Sequence, residues 1–284
     1  MKNRKTLSAH LFACALTLPL LSFQALPADA AGVDGLLPHR AVYDLSLIKA
    51  SDRSGITGMN GRIVYEVTGN KCDGFAVRFR FLTEVQTARK SFTNDQRTSS
   101  FESGNGQSFS FVNQSYLNNQ LEQDLRGKAA RKDGKVLVDI SKPDPAEIEL
   151  GDAIFMTEHV GMLIEAAQDQ QSFVTAKVFD GSDKGDELVD TTAVIGKRRA
   201  QMVDVEGEPG EVSKQFSDRA AWPISVSYFS TTHSAEQGER LPIYQVSFIM
   251  HESGISRDLK MIYDDYSLKG DLTQIEFLEQ EACE

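Results

Sequence analysis

The chain has 284 residues, with 41 Asp and Glu against 30 Lys and Arg and a net charge of −11 at pH 7. An acidic balance of this size repels phosphates, which argues against a nucleic-acid binder or a protein that grips an anionic lipid surface. The length admits one or two domains.

The first thirty residues read as a secretory signal. Lys2, Arg4 and Lys5 open it, an apolar run from Leu11 to Leu21 follows with a break at Pro19, and Ala28-Asp29-Ala30 puts small residues where a signal peptidase reads. The run is shorter than the roughly 20 residues needed to cross a bilayer core, and no stop-transfer pattern follows. In Leu11-Phe12-Ala13-Cys14 the cysteine precedes most of the apolar run, a poor match to a lipoprotein signal. A cut after Ala30 removes three positive charges (Lys2, Arg4, Lys5) and one negative (Asp29), taking the net charge from −11 to −13. Residues 1–30 are therefore expected to be a signal peptide and 31–284 a single domain, soluble in the periplasm and not membrane-spanning.

Along that domain period-2 alternation dominates, the mark of strands with one wet face. Ile63, Tyr65 and Val67 alternate, as do Phe75 to Phe81, then Val136, Val138 and Ile140, and later Tyr244, Val246, Phe248 and Met250. Turn signals punctuate them at Gly69-Asn70, Asp73-Gly74, Gly104-Asn105-Gly106, Asp133-Gly134, Glu252-Ser253-Gly254 and Gly270-Asp271. About 14 strands are predicted, mostly in hairpins. An antiparallel sheet of that size closes or rolls up, which also hides its edges. One segment differs. Over 157–168, Val160, Leu163, Ile164 and Ala167 fall at i, i+3, i+4 and i+7, one face of a helix packed against the sheet, with Thr157 as N-cap and Glu158 in the first turn. A two-lobed barrel is the alternative architecture.

Several candidate motifs fail on physical grounds. Ser46-Leu47-Ile48-Lys49 spells a serine-nucleophile motif, but it lies in a strand-like run that sends Ser46 and Lys49 to opposite faces. Asp180 to Glu187 resembles a calcium loop, yet Lys184 and Thr191 stand where ligands are needed, so it reads as an acidic hairpin turn. His39, His159, His233 and His251 form no metal-binding pair, and His159 reads as a surface or cap residue. Asp264 and Asp265 should face opposite ways on a strand, and Trp222 before Pro223 reads as a core anchor.

Of three cysteines, Cys14 leaves with the signal. Cys72 and Cys283 remain, and in an oxidising compartment a single pair is expected to form a disulfide. Neither has a C-x-x-C partner, so the bond reads as structural, pinning a C-terminal strand that would otherwise fray from the sheet edge.

His39-Arg40-Ala41 with Tyr43, then Cys72-Asp73-Gly74-Phe75, Phe155 and His159, Phe179-Asp180-Gly181-Ser182, Trp222, Tyr228-Phe229 and Asp265-Tyr266 occur in that order, before the tail with Cys283. This ordered set resembles the envelope integrity protein B (EipB) family of alphaproteobacterial periplasmic proteins. The resemblance implies a single-domain antiparallel β-spiral, a broken barrel closed by an internal disulfide, for which Cys72 and Cys283 are the positions carried over. It implies a role in cell envelope integrity, no established enzymatic activity, and a periplasmic tetratricopeptide-repeat protein as partner. Met156 stands where a proline is expected, and Glu252-Ser253-Gly254 is longer than the expected turn. No catalytic residue, metal or cofactor is assigned, and the ligand-binding residues are left open. The expected function is binding of a protein or envelope component. The alternative is a carrier of lipid or lipoprotein acyl chains in a curved sheet cavity. A peptidoglycan hydrolase lacks any visible nucleophile or metal constellation.

Overall fold

A computed structural model describes residues 35–182, 184–199, 204–217, 219–232, 240–280 and 282–283. The signal segment expected over 1–30 and His233 lie outside the described residues. Fifteen strands form one sheet. The first eight are β1 (His39–Ala50), β2 (Ile56–Asn70), β3 (Gly74–Thr87), β4 (Ser91–Ser103), β5 (Ser108–Leu117), β6 (Gln120–Lys132), β7 (Lys135–Lys142) and β8 (Ala146–Leu150). Then come β9 (Ile154–Phe155), the helix α1 (Met156–Gln168), β10 (Phe173–Phe179), β11 (Val189–Ile195), β12 (Ala221–Ser230), β13 (Tyr244–His251), β14 (Ser256–Tyr263) and β15 (Tyr266–Phe277).

The strand order is β8-β7-β6-β5-β4-β3-β2-β1-β15-β14-β13-β12-β11-β10-β9. The chain steps outward in hairpins from β1 to β8, crosses to the other edge at β9, and steps back to β15 beside β1. Every neighbouring pair is antiparallel except β9 with β10. The edges β8 and β9 do not pair, so the sheet rolls without closing. Phe109, Phe111, Val136 and Ile140 of one arm pack on Phe155 and Phe179 of the other, which draws the two arms together. The four phenylalanine rings meet at centroid distances from 5.2 Å, between Phe109 and Phe155, to 6.3 Å, between Phe155 and Phe179.

Turn chemistry explains the hairpins. Asp133 and Gly134 both adopt positive φ, the turn whose twist matches flanking strands. Asn118 and Asn119 do the same with no glycine, a turn that composition alone does not announce. Gly270-Asp271 is no turn: it lies inside β15, with Gly270 paired to Leu45 and Leu259. A Cβ there would sit 3.2 Å from both of those side chains, so the glycine serves close packing.

Helix α1 lies between the arms. Leu163, Ile164 and Ala167 are buried with Trp222, Ile224 and Met250, while Val160 also meets Val67 and Phe75 of the other arm. Thr157 is not the cap. Phe155 holds that position with no side-chain acceptor, and Glu102 of β4 replaces it, accepting the N–H of Thr157 at 2.7 Å and of Glu158 at 3.0 Å. Trp222 is buried in the core around α1. Among the described residues no helix is long and apolar enough to cross a membrane.

Candidate binding site

The residues singled out in the sequence scatter over the fold. Ser46 and Lys49 are exposed positions of β1, with a register irregularity between Leu47 and Lys49. Asp180 accepts the N–H of Ser182 at 2.8 Å at the start of the β10–β11 connection, and Phe111 packs where Gly181 would carry a Cβ. That loop is a cover over the phenylalanine cluster. Asp264 and Asp265 do not face apart. They form the β14–β15 turn, and both grip Arg53, at 2.5 and 2.6 Å.

The described histidines are interior. His159 is buried, not on the surface: the helix is sandwiched, so its second face is covered too. The Thr191 hydroxyl donates to the Ala176 carbonyl at 3.2 Å, and the His159 Nε2 donates to that hydroxyl at 3.1 Å. Burial lowers the His159 pKa to about 4. His39 donates from Nδ1 to the Leu37 carbonyl at 2.7 Å and is also held neutral by burial. His251 is fully buried against Phe216, its pKa lowered to about 3 by burial and by the positive charges of Arg257 and Arg219. These three neutral imidazoles make no catalytic cluster. Among the described residues no group of three or more His, Cys, Asp or Glu side chains is placed to hold a metal ion.

A disulfide joins Cys72 and Cys283, with Cα atoms 5.7 Å apart. Cys72 sits in the β2–β3 turn, which buried Asn70 organises: its Oδ1 accepts the N–H of Cys72 at 2.8 Å and of Asp73 at 2.9 Å. The bond therefore ties this turn to the C-terminal tail.

The feature with the shape of a ligand site lies inside the roll. Helix α1 fills the end of the hollow beside Val67 and Phe75. Toward the other ends of β2 and β3 a cavity of about 350 Å³ opens between β2, β3, β4 and the β14–β15 hairpin, its floor formed by buried Met59, Thr83 and Val85, with Phe92 and Asn94 half-buried and Gln96 exposed. One wall is aromatic. Tyr228, Tyr244, Tyr263 and Tyr266 stack in a ladder across β12 to β15, at centroid distances of 4.3, 5.9 and 4.8 Å, and its last two rings, Tyr263 and Tyr266, line the cavity. Burial, with the neighbouring Tyr266, raises the Tyr263 pKa to about 12, so its phenol stays a neutral donor. The other wall is β4. Its residues Phe92, Asn94 and Gln96 pair with Val85, Thr83 and Phe81 of β3 and line the cavity with them. The same face of β4 ends at Glu102, whose burial raises its pKa to about 7 despite the two helix N–H groups it accepts. A second cleft, of about 480 Å³, lies over β10 to β12, but its charged groups are occupied with each other: Asp190 binds Lys177 at 3.0 Å and Arg240 at 3.1 Å.

Sequence patterning does not find this wall. From Phe92 to Ser103 both faces of β4 are largely polar, so no alternation separates inside from outside. The buried Glu208–Arg257 ion pair, with Ser213 hydrogen-bonded to both partners, is equally silent in sequence because its members lie 49 residues apart.

The EipB-like family model matches residues 30–279. A Brucella abortus protein named cell envelope integrity protein EipB is 38% identical over 250 residues, spanning 88% of this chain and 87% of that protein. The crystal structure of a beta-barrel-like protein of a domain of unknown function, also from Brucella abortus, superposes with a TM-score of 0.80 at 37% identity, over 86% of this chain and 99% of that one.

Proposed function

The chain belongs to the EipB-like family, and on that premise we propose that it supports cell envelope integrity from the periplasm, by binding an envelope component in the hollow of its rolled sheet and without catalysing a reaction. The observation that carries this reading is the half-buried cavity between β3, β4 and the β14–β15 hairpin. Its volume falls in the range of small-ligand sites. It is too small for a folded domain, so a tetratricopeptide-repeat partner would engage the outside of the roll.

A carrier of acyl chains is the second reading, favoured by half-buried Phe79, Phe81 and Phe248 on the same core. An acyl chain needs a contiguous apolar lining. Asn94, Gln96 and Thr83 interrupt it.

Native mass spectrometry of protein purified from the periplasm tests the proposal. A bound molecule of defined mass is expected, and it should be lost from a folded Gln96→Trp variant, in which the indole occupies the cavity. A bare native protein, together with full restoration of a deletion strain's envelope by that variant, would reject it.

A further inference from the structure

We infer that the molecule held in this hollow is a neutral saccharide. The inference rests on the binding reading above and names its ligand class. Three observations carry it. First, among the described residues the cavity lining contains no Asp, Glu, Lys, Arg or His, in a chain where a quarter of all residues are charged. A phosphate, a carboxylate or a charged peptide terminus would find no counter-charge in that lining and would lose its hydration; Lys90 stands outside it, 5.8 Å from the centroid of the Phe92 ring. The ligand that fits is uncharged.

Second, the amides of Asn94 and Gln96 make no side-chain hydrogen bond within the described residues and face the cavity from one strand. Each amide offers donors and an acceptor together. A sugar hydroxyl also donates and accepts, so it matches them. An acyl chain would leave the half-buried Asn94 amide unpaired as it displaced its water.

Third, the facing wall presents Tyr263 and Tyr266, with Phe81 and Phe92 beside the amides; Tyr263 is stacked between Tyr244 at 5.9 Å and Tyr266 at 4.8 Å, so its two faces are taken and the outer face of Tyr266 is the one that can meet a ligand. A pyranose has an apolar face of C–H bonds, which the negative face of an aromatic ring attracts. An aromatic face on one side and amides on the other are complementary to the two faces of a sugar. The volume of about 350 Å³ accommodates roughly one or two pyranose rings.

The test uses the periplasmic protein with its disulfide intact. Saturation-transfer NMR with cellobiose, maltose and N,N′-diacetylchitobiose probes the saccharide, and palmitate probes the acyl alternative. The expected result is transfer to at least one sugar, with affinity weakened at least tenfold in Gln96→Leu and in Asn94→Leu variants of unchanged circular dichroism. Binding of palmitate alone, undiminished or tightened in those variants, would overturn the saccharide while leaving the envelope-binding reading in place. Binding of neither class, with no mass adduct in the native protein, would overturn both. Sugar binding unaffected by both substitutions would place the ligand elsewhere and also overturn the inference.

Discussion

At the scale of single residues, Glu102 has the clearest measurable consequence. It is buried, and burial lifts its pKa to about 7 from an ordinary 4.5, even though two helix N–H groups favour its charged form. The folded protein therefore holds a proton between pH 4.5 and 7 that the unfolded chain releases. By linkage, this group's contribution to stability falls as pH rises through that window, by an amount on the order of 3 kcal/mol. His159 and His251 act in the opposite sense. Their folded values of about 4 and 3 lie below the unfolded 6.5, so each loses stability as pH falls below 6.5. Comparing Glu102→Gln with the parent isolates the carboxylate. The melting temperature of the parent should drop relative to the variant between pH 5 and 8, and parallel curves would show that Glu102 does not titrate there. No sequence pattern points to this residue. Glu102 is one polar position in a strand polar on both faces, and its partners Thr157 and Glu158 lie 55 and 56 residues away.

At the scale of elements, the helix and β4 mark the two limits of sequence reading. The apolar spacing of Val160, Leu163, Ile164 and Ala167 makes a helix legible because a single buried stripe suffices to define its period. The cap is not legible, since Thr157 looks like an N-cap locally and the carboxylate that replaces it arrives from another strand. Helix α1 is wedged between two arms, so truncation inside it leaves a cavity that neither arm can collapse to fill. Leu163→Ala is expected to cost about 2–5 kcal/mol in denaturant unfolding, and a cost near zero would mean that α1 adds little to the core. β4 is the reverse case. Its strand character follows from flanking turns, but Asn94 and Gln96 carry no sign of facing inward. Only pairing with Thr83 and Phe81 assigns them to the hollow. The aromatic wall is half legible, for Tyr244 begins an evident alternating run while the ladder needs the register of four strands.

For the whole molecule, strand number and rolling were legible because hairpin turns and alternation are local, and a large sheet cannot stay flat. The order of strands was not, because the β1–β15 pairing joins the two ends of the chain. That pairing alters the meaning of the disulfide. β15 is not an edge strand: it is hydrogen-bonded to β1 on one side and β14 on the other, so it needs no staple against fraying. What the bond holds is the tail beyond Phe277, and what it restricts most is the unfolded chain. It closes a loop of 211 residues that contains most of both arms. Chain entropy gives about 5 kcal/mol for such a loop, against a total of roughly 5–15 kcal/mol for an ordinary domain. Because the effect belongs to the loop and not to either thiol, Cys72→Ala and Cys283→Ala should each lower the melting temperature, and the double variant should be little worse than either alone. Clearly additive losses would mean that each cysteine contributes by its own packing, and the cross-link would no longer account for the stability. Reduction of the parent under native conditions should bring its melting temperature down to that of the single variants, since it opens the same loop without changing a side chain's size.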